Sequence, residues 1–128
     1  MENIVISVGG VSLSAELYDT PTARLISQSL PLESNVNVWG EELYFFIPLE
    51  TELEQEARAD VEVGELAYWP SGPAFCIFFG PTPMSKNEKP RAYSPVNVFG
   101  RITGDCSPLK AIPNGARISV KTDHDDSP

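Results

Sequence analysis

The sequence predicts a mainly β fold, an eight-stranded barrel that is closed or nearly closed and carries helical segments as lids. Two observations lead to this prediction. Eight short apolar segments, several of them alternating with a period of two, are separated by turns rich in Gly, Pro and Asn. A chain of 128 residues is also long enough for one core and too short for two. We therefore expect a single domain over residues 1–122, followed by an acidic tail at 123–128.

The first elements are a hairpin and a helix. Residues 4–8 and 11–17 are apolar at alternate positions, and Gly9-Gly10 between them permits the positive φ angles of a tight turn. Asp19-Thr20-Pro21 then marks a helix start, since Asp or Thr caps free amides and proline fits the first turn. A short apolar stripe continues this helix over 23–30.

Six further strands complete the predicted barrel. They are expected at 35–39, 43–47, 67–70, 74–79, 96–102 and 116–120. Residues 49–60 are mostly acidic and are predicted to form a solvated loop. Residues 80–95 are predicted to be a long loop rich in proline, and 107–112 one capped helical turn.

Composition and charge narrow the classes of partner. Nine basic against 18 acidic residues give a net charge of −9, and so acidic a surface repels phosphate backbones, which argues against nucleic acid. The apolar runs are too short for a membrane span, and the first residues carry no export signal, so we expect a cytoplasmic protein.

Few residues are available for metal or nucleophilic chemistry. The chain has one histidine, His124, which lies in the acidic tail. Catalytic sites that use a histidine base, and metal sites that use two histidines, are therefore disfavoured. Cys76 and Cys106 form no disulfide framework, and Cys76 is interpreted as inert core. We expect no cofactor and no metal.

Aromatic residues are concentrated in the middle of the chain. Nine of the twelve lie between Trp39 and Phe79, and the strands at 43–47 and 74–79 are apolar on both faces. One face fills the barrel interior, so the other needs a cover. The helix and the 80–95 loop are one possible cover, a ligand groove is another, and a homodimer contact is the third.

A groove that holds a peptide or a small organic molecule is the function we expect from this surface. Its proposed ligand-binding residues combine rings with polar groups of the turns and the long loop: Trp39, Glu41, Tyr44, Phe46, Tyr68, Trp69, Phe79, Thr82, Ser85 and Arg91. Either Glu41 or Glu42, if held beside the rings, would have a raised pKa and become a possible acid or base, although adjacent glutamates in a turn are more often solvated.

Three motifs resemble a family of small bacterial and archaeal cyclophilin-like proteins. They are Val36-Asn37-x-Trp39-Gly40-Glu41-Glu42-x-Tyr44-Phe45, then Gly64-Glu65-x-x-Tyr68-Trp69-Pro70-x-Gly72-x-Ala74-x-Cys76-x-Phe78-Phe79-Gly80-x-Thr82-Pro83, and Pro95-Val96-Asn97-Val98-x-Gly100. The resemblance covers about residues 4–120 and implies a cyclophilin-like eight-stranded barrel with lids at its ends. It implies no specific activity, because function resides in the site and not in the fold.

Cyclophilins proper are peptidyl-prolyl isomerases, which makes a divergent isomerase the alternative function. Their Phe-His-Arg motif and their later Phe-Met-x-Gln-Gly-Gly motif are both absent from this sequence. Catalytic residues therefore cannot be transferred. Arg91 and Arg101 are the arginines near the expected groove that would have to polarise the prolyl amide.

Overall fold

The mainly β prediction is confirmed by a computed structural model, which describes residues 2–123. The predicted acidic tail lies largely at 124–128, outside the described residues. The strands are β1 (Asn3–Val8), β2 (Val11–Leu17), β3 (Leu32–Asn35), β4 (Asn37–Val38), β5 (Glu42–Phe46), β6 (Arg58–Asp60), β7 (Glu65–Trp69), β8 (Ala74–Phe78), β9 (Arg91–Ile102) and β10 (Arg117–Thr122). One α-helix, α1 (Pro21–Ser29), and one 3-10 helix (Ser107–Ala111) accompany them.

All strand pairs are antiparallel, and the strands form one curved sheet. Its order is β3-β10-β1-β2-β9-β7-β8-β5-β4, with β6 paired to β9 off this path. The two ends, β3 and β4, are consecutive in the chain and are separated by Val36 alone. The Val36 N–H donates to the Ala116 carbonyl at 2.9 Å, and its own carbonyl accepts from Gly115 N–H at 2.8 Å. The sheet is therefore not closed by a continuous ladder, although one short segment lies at both of its ends.

The structure has ten strands among the described residues where the sequence predicted eight. The predicted strand at 35–39 contains the two-residue β4 and only the last residue of β3, so β3 is an additional strand. In addition, β6 lies inside the segment predicted to be a solvated loop. It pairs with the first half of β9, which begins at Arg91 and so takes in the end of the predicted 80–95 loop. Because β6 exposes Arg58 and Asp60, it has no apolar pattern to mark it as a strand.

The helix forms where its cap and its proline predict it. Thr20 is the N-cap, and its hydroxyl accepts from the Ala23 N–H at 3.1 Å, while Pro21 occupies the first turn. Ala23 and Ile26 are buried against the sheet. Within residues 2–123 no helix has the length and apolar character that crossing a bilayer requires.

Two apolar clusters lie on opposite faces of the sheet. The main core fills the interior and includes Leu43, Phe45, Phe75 and Ile77. A second group, which we call the outer cluster, lies on the other face of β5, β7 and β8; it consists of Val61, Ala67, Ala74, Cys76, Phe78, Ala92 and Val96. The two faces of β8 thus divide as strand alternation predicts. The segments that cover the outer face are β6, Val61 and the first half of β9.

Candidate functional site

A cavity of about 180 Å³ opens beside the outer cluster, and we call it the outer pocket. Its lining is Trp39, Glu42, Tyr44, Trp69, Cys76, Phe78, Ala92, Tyr93 and Val96. Five of these nine residues are aromatic, and one carries a carboxyl group. A concave, mostly apolar space with a few polar groups, among them one carboxyl group, is typical of small-molecule sites.

The floor of the pocket is formed by β5 and β8. Glu42 pairs in register with Phe78, and Tyr44 pairs with Cys76. These four residues occupy alternate positions on their strands, so all of them point to the outer face while the residues between them enter the main core. The pocket floor therefore follows directly from the two-residue period of two paired strands.

A tight turn places Trp39 beside this floor. Trp39 and Glu42 exchange backbone hydrogen bonds of 2.9 and 3.1 Å across Gly40-Glu41. Gly40 has a φ of +59°, and a Cβ there would lie 2.8 Å from Pro83 Cδ. Glycine is thus required at this position for two reasons. The positive φ angle is that of the first central residue of a type II′ turn, and the segment at Pro83 packs too close to leave room for a Cβ atom.

The opposite wall comes from β7 and the first half of β9. Tyr93 extends over the opening, with 65% of its surface exposed. Its ring centroid lies 6.3 Å from that of Trp39 and 6.0 Å from that of Trp69, at interplanar angles of 67° and 77°. The Trp69 Nε1–H donates to Ser94 Oγ at 2.7 Å, which fixes the indole against β9. Tyr93 therefore packs edge-on with both tryptophans, and the three rings adjoin in the lining.

Glu42 is the one acidic residue in this lining, and only 5% of its surface is exposed. Burial raises the pKa of its carboxyl group to about 7, and a hydrogen bond with the Cys76 thiol opposes that shift more weakly. Burial, together with the Glu42 charge, raises the pKa of the Cys76 thiol well above its usual value. The Glu42 carboxyl group can therefore gain or lose a proton near neutral pH, while the Cys76 thiol stays protonated and is a poor nucleophile.

Three of the predicted ligand-binding residues line the outer pocket, namely Trp39, Tyr44 and Trp69. Phe46 lies at the end of β5, where 57% of it is exposed, and its ring packs edge-on to Tyr44 at 5.9 Å. Tyr68 and Phe79 belong to the main core on the other face. The Tyr68 hydroxyl donates to the Leu49 carbonyl at 2.7 Å and so has a structural partner.

The four polar candidates surround the pocket without lining it. Glu41 is half-buried, and its side chain packs over Gly80. The Thr82 hydroxyl donates to the Arg91 carbonyl, and the Ser85 hydroxyl accepts from the Thr82 N–H at 2.9 Å. The Arg91 guanidinium pairs with Asp60 at 2.7 Å. These contacts fold the long loop onto β9 and support the pocket from outside.

Six lining residues were absent from the predicted set: Glu42, Cys76, Phe78, Ala92, Tyr93 and Val96. The Glu41–Glu42 pair had been considered, and strand alternation from Tyr44 identifies Glu42 as the member on the pocket face. The same alternation places Cys76 and Phe78 there. Ala92, Tyr93 and Val96 had no comparable signal, because the fold-back of β9 over the sheet depends on tertiary contacts.

The structure offers no metal centre within residues 2–123, where no group of three or more His, Cys, Asp or Glu side chains converges. Arg101 pairs with Glu16 at 2.9 Å and, like Arg91, is not among the pocket residues. The chemistry available in the outer pocket is thus that of π faces, two phenols, one thiol and one carboxyl group.

Comparisons with known proteins agree on the fold. A family model described as Cyclophilin-like matches residues 2–121. The solution structure of the hypothetical protein AF2241 from Archaeoglobus fulgidus is 37% identical, with a TM-score of 0.79 over 94% of this chain and 93% of that one. The structure of McbB in complex with tryptophan is 15% identical with a TM-score of 0.69; it covers 98% of this chain and 46% of McbB, and shows the fold alone. A search of curated proteins found no match.

Proposed function

The chain belongs to the cyclophilin-like family, and we propose that it is a binding protein that holds a small organic molecule in the outer pocket. The observation that carries this proposal is the lining, in which five aromatic residues surround one buried carboxyl group. Such rings supply apolar contact area, and the single polar group orients the ligand. A volume of about 180 Å³ suits a compact ligand or one side chain of a peptide.

The comparison with McbB supports a small aromatic molecule as a first probe. McbB was solved in complex with tryptophan. Because McbB is 15% identical to this chain, its ligand guides the choice of probes and says nothing of the residues involved. Tryptophan and indole are both compact, planar and rich in apolar surface, which fits a pocket walled by rings.

The positions of the arginines favour binding over isomerisation. An isomerase of the cyclophilin kind needs an arginine beside the prolyl amide. Arg91 is engaged with Asp60, and Arg101 with Glu16, both outside the lining. We therefore propose a binding role without classical isomerase chemistry. A homodimer contact is the third possible role of the aromatic surface. Light scattering at high protein concentration tests it, because a monomeric mass would exclude this role.

Two-dimensional NMR of the tryptophan indole N–H groups is the experiment that tests the proposal. The chain contains two tryptophans, and both line the outer pocket. Titration with indole, tryptophan or an Ala-Pro-Phe peptide is expected to shift both indole signals with saturation. Shifts that do not saturate, or that are confined to residues outside the pocket, would contradict the proposal. Cis/trans exchange of the peptide, read from the same samples, reports any isomerase activity.

A further inference from the structure

Resting on the proposed function, we propose that the ligand of the outer pocket is an alkylated organic ammonium ion, held against the aromatic walls with the Glu42 carboxylate as its counter-charge. Three features of the lining favour such a ligand: the arrangement of the rings, the isolation of the carboxyl group and the small number of side-chain hydrogen-bond acceptors.

Five aromatic rings line one compact space, which we call the cage. Trp39 and Trp69 each pack edge-on with Tyr93, at interplanar angles of 67° and 77°, and Tyr44 and Phe78 complete the lining at the floor. The face of an aromatic ring attracts a cation through its quadrupole, and tryptophan does so best. Several faces around one compact space are the usual way in which proteins recognise quaternary ammonium groups.

The Glu42 carboxyl group has no cationic partner in the pocket. The lining contains neither lysine nor arginine, and Glu42 takes part in none of the salt bridges of the described residues. A buried carboxylate without a counter-ion is costly in free energy. A cationic ligand would supply the missing counter-charge, and desolvation strengthens its attraction to the carboxylate.

The lining favours an alkylated ammonium ion over a primary one. A primary ammonium ion carries three N–H donors, each of which needs an acceptor once it leaves water. The Trp69 Nε1–H is already bonded to Ser94, and an indole N–H accepts nothing. Besides the carboxyl group, the side chains of the lining offer only two tyrosine hydroxyls and a weakly accepting thiol as hydrogen-bond acceptors. Methyl groups on the nitrogen remove this demand and add apolar contact with the rings.

Charge and access agree with a cationic ligand. The chain has a net charge of −9, which raises the local concentration of cations at its surface. Tyr93 is largely exposed, while Trp39 and Trp69 are half-buried. The open side of the cage is therefore in contact with solvent.

The test compares two ligands that differ in charge and hardly in shape. Choline and its neutral carbon isostere, in which a tert-butyl group replaces trimethylammonium, are titrated at about pH 8, above the pKa of Glu42. The two indole N–H signals give the affinity. Choline is expected to bind about tenfold or more tightly than the isostere. Equal affinities, or tighter binding of the isostere, would overturn the inference.

Two pairs of variants assign the effect to the named groups. Glu42→Gln keeps the shape and removes the charge, and it should lower choline affinity about tenfold while leaving the isostere unchanged. Tyr93→Leu should weaken choline about fivefold, and Tyr93→Phe, which keeps the ring, should restore it. Tyr93 is exposed, so neither of its variants threatens the fold.

The outcome also separates this inference from the proposed function on which it rests. If indole or tryptophan binds and choline does not, the outer pocket is a binding site but its ligand is not an alkylated ammonium ion. If no neutral or cationic probe shifts the indole signals, both proposals are wrong. Choline binding that survives Glu42→Gln and Tyr93→Leu unchanged would place the cation elsewhere and overturn the inference alone.

Discussion

The Glu42 carboxyl group and the Cys76 thiol are neighbours on adjacent antiparallel strands, and both face the outer pocket. Tyr44 is the register partner of Cys76, and Glu42 lies two residues before Tyr44 on the same face of β5, so Glu42 and Cys76 are diagonal neighbours. Two weakly acidic groups thus share one poorly solvated space, and burial disfavours the charged form of each. The Glu42 charge further disfavours a thiolate at Cys76, whereas the neutral thiol stabilises the carboxylate by a hydrogen bond. When no cation is bound, protonation of Glu42 removes the unfavourable buried charge. The stability of the fold therefore depends on pH through Glu42.

The first prediction is that Glu42 makes the fold less stable at higher pH. Its pKa in the folded state is about 7, above its ordinary 4.5, so the folded chain binds the proton more tightly than the unfolded chain. The contribution of Glu42 to stability is fully present below about pH 4.5 and is lost as pH rises through about 7. This loss amounts to about 3 kcal/mol.

Urea unfolding of the wild type and of Glu42→Gln at several pH values measures this loss. Relative to the wild type, the Gln variant should gain about 3 kcal/mol in the free energy of unfolding between pH 4.5 and pH 8. Glu56→Gln is the matched control, because Glu56 is exposed and loses the same charge. A difference between the Glu42→Gln and wild-type curves that stays constant with pH would contradict the prediction.

The second prediction is that Cys76 reacts slowly with thiol reagents. Its thiol is buried, and its pKa is raised well above the usual value by burial and by the Glu42 charge. Only the thiolate attacks a disulfide reagent, so the rate at about pH 8 should be at least about a hundredfold below that of a free cysteine. A Cys106→Ser background isolates the signal, since Cys106 is the second free thiol. A rate equal to that of free cysteine would show that the pocket exposes an ionised thiol.

The third prediction concerns Asn97, which holds an acidic loop against the sheet. Its Oδ1 accepts from the Glu54 N–H at 2.8 Å, while its Nδ2 donates to the Glu52 carbonyl at 2.9 Å. A third bond, at 3.1 Å, joins Nδ2 to the hydroxyl of Thr22 in the first turn of α1. Asn97 itself is buried, and Asn97→Ala removes all three bonds and leaves the Glu54 N–H and the Glu52 carbonyl without this partner, so it should cost about 2–4 kcal/mol of stability.

Asn37→Ala provides the comparison for that variant. Asn37 also lies in a strand, but it is half-buried and makes one side-chain bond, to the Tyr44 carbonyl at 3.4 Å. Its loss should cost less than about 1 kcal/mol. Denaturant unfolding of both variants gives the two values. If they were equal, the network around Asn97 would have no special importance for the fold.

Most of the fold follows from local sequence pattern. The alternation of β1 and β2, the short apolar runs of β5 and β8 between turns, and the Thr20-Pro21 start of α1 are decided by neighbours in the chain, so the sequence predicts them. The strand β6 was not predicted, because it is stabilised by pairing with β9, which is distant in the sequence. Its Arg58 forms two bonds of 3.1 Å with the buried Glu65 carboxylate, and this contact cannot be inferred from a three-residue polar segment.

The candidate site was predictable in part for the same reason. Aromatic crowding indicated that a second apolar face existed, and three of the ten residues proposed from it, Trp39, Tyr44 and Trp69, lie in the lining of the outer pocket. Tyr68 could not be separated from them by composition, since a tyrosine hydroxyl suits a rim as well as a buried bond to a carbonyl. Which part of the chain would cover the pocket depends on how β9 folds over the sheet, and spacing gives no signal for that.

The fourth prediction is that filling the outer pocket abolishes ligand binding without unfolding the protein. Ala92 lies in the lining and is buried, so Ala92→Leu adds three carbon atoms to the space that a ligand would occupy. The two indole N–H signals should then stop responding to indole and to choline, while the amide spectrum stays dispersed. Ala111→Leu is the matched control, since Ala111 is exposed in the 3-10 helix and outside the lining. Undiminished binding to a folded Ala92→Leu variant would mean that the ligand occupies another surface, because a leucine in this cavity leaves no room for both.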